Sequence, residues 1–241
     1  MLRLVTFLLS ICLLSMPLQA KESIKLSIGQ YRIADSAGSY WYTPIGLYYS
    51  NSTYKAKLSL PYISGFNGRD GMGNASVKFS YLNQWKKLYL DFHLKQKLAT
   101  ADSNLTLPVK DTGASIELSG YLWGGVAFME LGHWWRENYQ YDNANQEGDD
   151  ETESQDQADL VRQREDSFYY VLGGVYPIKK GWVSGLLLDY KPTALGNLDR
   201  TVSVLLQHKL SARHKITATL GKGLSETSSD WVSGLVWKIT Y

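Results

Sequence analysis

Cysteine is almost absent from this chain of 241 residues: the only one, Cys12, lies in an apolar N-terminal segment. The remainder can form no disulfide and no thiolate metal site. Leu9-Ser-Ile-Cys12 faintly matches a lipoprotein box, but Ile11 is too bulky for the position before a lipidated cysteine. Long hydrophobic runs are missing too. Beyond Ala20 the longest apolar stretches have four or five residues, which excludes a helical membrane protein because a spanning helix needs about 20. There is no phosphate-cradling GxxxxGK(S/T), no HExxH pair and no nucleic-acid motif. No catalytic residue, metal site, cofactor or nucleic-acid partner is expected on these grounds.

What is present begins with a targeting pattern. Arg3 precedes an apolar run from Leu4 to Met16, then Pro17-Leu-Gln-Ala20, which reads as a secretory signal over residues 1–20. Residues 21–241 then form a single domain. Net charge is +2 but unevenly spread: residues 138–166 hold ten acidic residues and two arginines, against 22 basic and 13 acidic in the rest of the mature chain. That segment reads as a long acidic, solvated external loop. Its Asn143–Asp159 stretch is rich in oxygen ligands for a divalent cation but lacks the spacing of a preformed calcium loop.

The last eleven residues alternate strictly. Trp231, Leu235, Trp237, Ile239 and Tyr241 fall on one side, Gly234, Lys238 and Thr240 on the other, as in the closing strand of an outer-membrane β-barrel, which the barrel-assembly machinery would read. The same period of two marks about twelve segments, roughly 23–34, 41–49, 53–60, 74–82, 87–98, 112–122, 126–137, 167–176, 182–191, 200–210, 214–221 and 231–241. Joins after the even-numbered segments are short, and those after odd-numbered ones run from about six residues to nearly thirty. A soluble sandwich has no reason to sort its loops by parity, whereas outer-membrane barrels have short periplasmic turns and long external loops. The predicted fold is therefore an all-β, antiparallel transmembrane barrel of about 12 strands in the cell outer membrane, with both termini periplasmic.

Aromatic residues collect near the predicted strand ends, among them Tyr48, Trp85, Trp123, Tyr176 and Tyr241 at the inner side and Trp41, Tyr42, Trp134, Phe168 and Trp231 at the outer side. Amphipathic rings prefer the two bilayer interfaces. Two features fit less well. Pro44 removes a ladder donor inside the second strand, and the first strand changes face around Gly29, where a bulge would reconcile Ile24, Leu26 and Ile28 with Tyr31 and Ile33. The glycines between Gly68 and Gly73 read as a loop.

Leu60-Pro-Tyr-Ile-Ser-Gly65, Gly71-Met-Gly-Asn-Ala-Ser-Val-Lys-Phe-Ser-Tyr81, Leu88 to Thr100 and Gly221 to Trp231, in that order, resemble outer-membrane transporter-like barrels of Gram-negative bacteria, a family linked by name to phenol degradation. The resemblance covers most of the mature chain and implies fold and membrane. It does not extend to the acidic loop or to Gly234 in the terminal strand.

If Leu88, Leu90, Phe92 and Leu94 face lipid, then Asp91, His93, Lys95 and Lys97 line the lumen, with Glu117 on the next strand and Glu130 and Arg136 on the one after. Lys25, Lys55, Lys57, Lys78, Lys215 and Lys238 are inward by the same rule. Charges on the lipid face would cost about 2 to 4 kcal/mol near the midplane, so their gathering on one face is informative. A passive channel for small polar or aromatic solutes follows, the lysine surplus favouring anions. The alternative is a closed barrel with a structural or surface-interaction role. A lipid-modifying enzyme ranks third, since no histidine stands in an H-x-S pattern and His133 and His208 read as interfacial. Expected partners are outer-membrane lipid and lipopolysaccharide, the barrel-assembly machinery and small-molecule solutes.

Overall fold

Alternating apolar and polar residues form a strand that is stable only when its two faces meet different surroundings, and a closed ring of such strands supplies them. The computed structural model describes residues 22–35, 38–102, 110–141, 160–192, 198–225 and 228–241. The strands are β1 (Ser23–Asp35), β2 (Gly38–Ser50), β3 (Tyr54–Phe66), β4 (Arg69–Met72), β5 (Ser76–Trp85), β6 (Leu88–Lys97), β7 (Thr112–Leu122), β8 (Gly125–Tyr141), β9 (Leu160–Lys179), β10 (Trp182–Pro192), β11 (Leu198–Lys209), β12 (His214–Gly223) and β13 (Trp231–Thr240). Twelve pair antiparallel in a ring that β13 closes against β1, and the short β4 hangs from β3. Each of the twelve expected segments coincides with one barrel strand.

The molecule is built inside out. Buried side chains are mainly polar, including Asp91, His93, Ser115 and Glu130, whereas Leu94, Leu131, Leu186 and Leu235 are more than half exposed on the outer wall. Apolar surface costs about 25 cal/mol per Å² in water, so such a belt is stable against acyl chains. The protein is a membrane-spanning barrel of the outer-membrane type. No described helix is long and apolar enough to cross a membrane.

Several details differ from the sequence expectations. No bulge occurs at Gly29: the β1–β13 register runs unbroken from Lys25↔Thr240 to Ala34↔Trp231. Tyr31 turns inward instead, because Gly234 leaves room for its ring, where a Cβ would come within 2.2 Å of it. Pro44 lies directly opposite Pro61. Its missing N–H falls on the β1 side, where pairing lapses between Ile28↔Ile45 and Tyr31↔Tyr42. Residues 67–72 are a hairpin rather than a loop: Asn67 and Gly68, at φ 50° and 72°, make the left-handed two-residue turn that the Asn-Gly pair favours.

The β1–β2 join spans only residues 36–37, shorter than expected, because the ladder continues to Asp35↔Gly38. Likewise β8 and β9 run on into segment 138–166, pairing as far as Tyr141↔Leu160. The rest of the acidic stretch and the signal segment lie outside the described residues. Among the aromatics, Tyr42, Tyr48 and Trp134 face the lumen instead of an interface, as the register places them beside inward residues.

Candidate functional site in the barrel lumen

Register across β5–β9 lays inward side chains in three adjoining rows. The first joins Lys78, Lys95, Gly113 and Trp134. The second joins Ser80, His93, Ser115, Gly132 and Tyr169. The third joins Asp91, Glu117 and Glu130. Like charges directly opposite repel, so neither outer row is stable alone. The middle row is small at Ser115 and Gly132, and there Lys78 and Lys95 lean across to meet Glu130.

Glu130 is the hub. Ser115 and Tyr169 each donate a hydroxyl hydrogen bond of 2.6 Å to its Oε1, and the Lys95 ammonium bonds both Glu130 and Tyr169. Lys78 Nζ lies 4.0 Å from Oε2. The Tyr169 ring is 3 % exposed and rests on Gly132, where any Cβ would come within 2.3 Å of it. Lys95 also sits 4.6 Å above that ring. Toward the far end, Asp111 accepts from Lys97 at 3.0 Å and lies 3.7 Å from Arg136 Nε. Asp91 pairs with Lys55 at 3.7 Å.

His93 ties the rows together. Its Nδ1 is 2.9 Å from Ser80 Oγ and its Nε2 is 3.3 Å from Glu117 Oε2. A serine, a histidine and a carboxylate in series resemble a nucleophile relay. Ser80, however, is 3 % exposed, and it stands mid-strand in ladders on both sides, where backbone N–H groups are spent and no oxyanion site forms. The arrangement orients the histidine as a structural bridge. His93, Glu117 and Glu130 also bring ligand atoms within 4.8 Å of one another, but Glu130 is already engaged by two lysines and His93 by Ser80 and Glu117.

All seven residues singled out in the sequence, Asp91, His93, Lys95, Lys97, Glu117, Glu130 and Arg136, lie on the inward face and on one wall. Sequence reasoning missed Tyr169, Ser115, Ser80 and Asp111. Tyr169 had a signal, since it alternates with Phe168 and Tyr170; its partner Gly132, three strand positions from Trp135, had none. The remaining histidines lie against aromatic rings: His208 stacks on Trp182 at 4.1 Å, His214 on Trp237 at 5.6 Å, and His133 meets Trp135 and Phe168 edge-on.

No protein-family model matches the chain, and no curated protein matches it. Solved structures do. The chain superposes on the COG4313 outer membrane channel from Pseudomonas putida F1 with a TM-score of 0.64 and 12% identity, covering 94% of this chain and 97% of that one. The fold is that of an outer-membrane β-barrel. The KdgM porin in complex with disordered oligogalacturonate matches at TM-score 0.51 and 12% identity, over 91% of this chain and 98% of the other. The β domain of the Bordetella autotransporter Brka gives the same TM-score of 0.51 at 9% identity, over 91% and 99%. Likeness at this level carries the architecture alone.

Proposed function

We propose that the protein is a passive channel for small polar solutes, with anions favoured over cations. The observation that carries this reading is the accessibility of inward charges: the side chains of Lys55, Lys97 and Lys78 remain 55%, 32% and 30% exposed although they point into the ring. Lys55 and Lys97 stand at opposite mouths and Lys78 lies further in, so water reaches inward charge from both ends. The short turns at residues 51–53, 86–87 and 123–124 share one end with both chain termini, and that end faces the periplasm in this reading. Outer-membrane lipid and lipopolysaccharide cover the Leu-rich belt, and β13 is the strand offered to the barrel-assembly machinery. A solute with a planar apolar body would find the rings of Tyr31, Tyr42 and Tyr48 on the wall opposite the ion pairs.

Purified, refolded protein in a planar lipid bilayer tests this. Discrete conductance steps are expected, with chloride more permeant than potassium. Silence across voltages and salts would favour the second reading, a closed barrel of structural or surface role, for which the packed β5–β9 wall is the supporting observation.

A further inference from the structure

The lumen carries a row of lysines that ion pairs offset only at its upper end. Following the register from β1 to β6, the inward residues directly opposite one another are Lys25, Tyr48, Lys57, Lys78 and Lys95. A second row, one inward step away, joins Lys209, Lys215 and Lys238. Strands in a barrel tilt, so a line across them climbs. Lys25 is the third residue of β1, near the end that holds the termini, and Lys95 is third from the opposite end of β6. The row therefore winds from one mouth of the ring toward the other, with strand-to-strand steps of about 4.8 Å.

Like charges directly opposite on neighbouring strands destabilise a sheet, and the fold draws nothing from Lys57↔Lys78 or Lys215↔Lys238. At the upper end Glu130 offsets Lys78 and Lys95. At the lower end, among the described residues, Lys25, Lys57, Lys215 and Lys238 have no carboxylate within ion-pair distance. Two of them lean instead on one ring, with Lys57 Nζ 5.3 Å and Lys238 Nζ 4.8 Å from the Tyr48 centroid. An aromatic face offsets only part of one cation, and here two share it.

We infer that this lower cluster, Lys25, Lys57, Lys215 and Lys238 around Tyr48, is a binding site for a small multivalent oxyanion of the di- or tricarboxylate kind, and that the lysine row is the path along which it moves. One acid group neutralises one or two lysines, and a second reaches the next lysine without releasing the first. A monovalent anion gains only a single contact and passes with little retention. The inference rests on the channel reading for transit but not for binding.

Two measurements on refolded protein keep those apart. Isothermal titration with citrate, with acetate as the monovalent comparator, reads the site directly; reversal potentials and citrate block in planar bilayers read the path. Citrate is expected to bind at least about tenfold more tightly than acetate, since each added charged hydrogen bond contributes about 1.5 kcal/mol or more. In K57Q/K238Q citrate binding weakens about tenfold and the chloride preference falls, while Lys179→Gln, which removes a charge outside the lumen beside Trp182, changes neither. Heat-modifiable gel migration confirms that each variant has closed. Equal affinity for citrate and acetate, or K57Q/K238Q matching the parent in titration, overturns the site. A charge preference insensitive to those lysines overturns the path, and absent conductance with intact lysine-dependent citrate binding overturns the channel reading and the path while supporting the site.

Discussion

The two walls of the lumen use the same residue type in opposite ways. On β5–β9, lysines meet carboxylates over a floor of serine and glycine, and Glu130 alone receives Lys95, Lys78, Ser115 and Tyr169. On β12–β13 Lys215 faces Lys238, and on β1–β3 Lys25 and Lys57 flank the Tyr48 ring, on which Lys238 also leans. The first wall is an ion-paired polar network around the buried Glu130, Ser115 and Tyr169, with Lys78 and Lys97 still reached by solvent, and it takes the place an apolar core holds in a soluble domain. The second leaves its charge to whatever enters. Stability and selectivity are thereby separated around one ring.

The separation breaks most readily at Glu130. Glu130→Gln leaves two lysines uncompensated in a buried site, and unfolding in urea is expected to show a loss of about 3 kcal/mol or more; K57Q/K238Q on the other wall should hold or gain stability, within about 1 kcal/mol. Comparable losses from both would mean that the walls do not differ. Next comes a glycine pair that sharpens the contrast. Gly132→Ala drives a methyl into the Tyr169 ring, which its bonds to Glu130 and Lys95 hold in place, and should cost about 1 to 3 kcal/mol. Gly234→Ala meets the Tyr31 ring, whose ring neighbour is Tyr42 at 6.3 Å, and a smaller loss is expected in the same denaturation series.

The smallest effect is that of Ser80→Ala. It removes one hydrogen bond to His93, about 1 kcal/mol, and leaves conductance unchanged. Ester or phospholipid hydrolysis by the parent that disappears in this variant would show the serine–histidine–carboxylate series to be catalytic and reverse its assignment as a bridge.

Much of this architecture was legible in the chain because a period of two is a local property. Leu88, Leu90, Phe92 and Leu94 against Asp91, His93 and Lys95 required no knowledge of neighbours, and the same held for the closing strand. Errors came where the deciding residue lay on another strand. The face change of β1 at Gly29 looked like a bulge because Gly234, some two hundred positions later, makes the space into which Tyr31 turns. Pro44 looked like a fault because the lapse in the β1–β2 ladder opposite it is set by pairing and not by the local pattern. Tyr48 and Trp134 were read as interface rings, yet the same alternation that placed Lys57 inward places them inward too; proximity to a strand end was the weaker signal. The Asn67-Gly68 turn is an exception, since its signal is local to the pair.

By itself the sequence determined the two-residue alternation that divides most strands into a lipid side and a lumen side, because that period is local to each strand. Only the tertiary structure decided which inward charges neutralise one another. Register sets that, and register depends on strand stagger and ring closure, which bring Lys95 to Glu130 across β7 while leaving Lys25 and Lys238 beside a tyrosine.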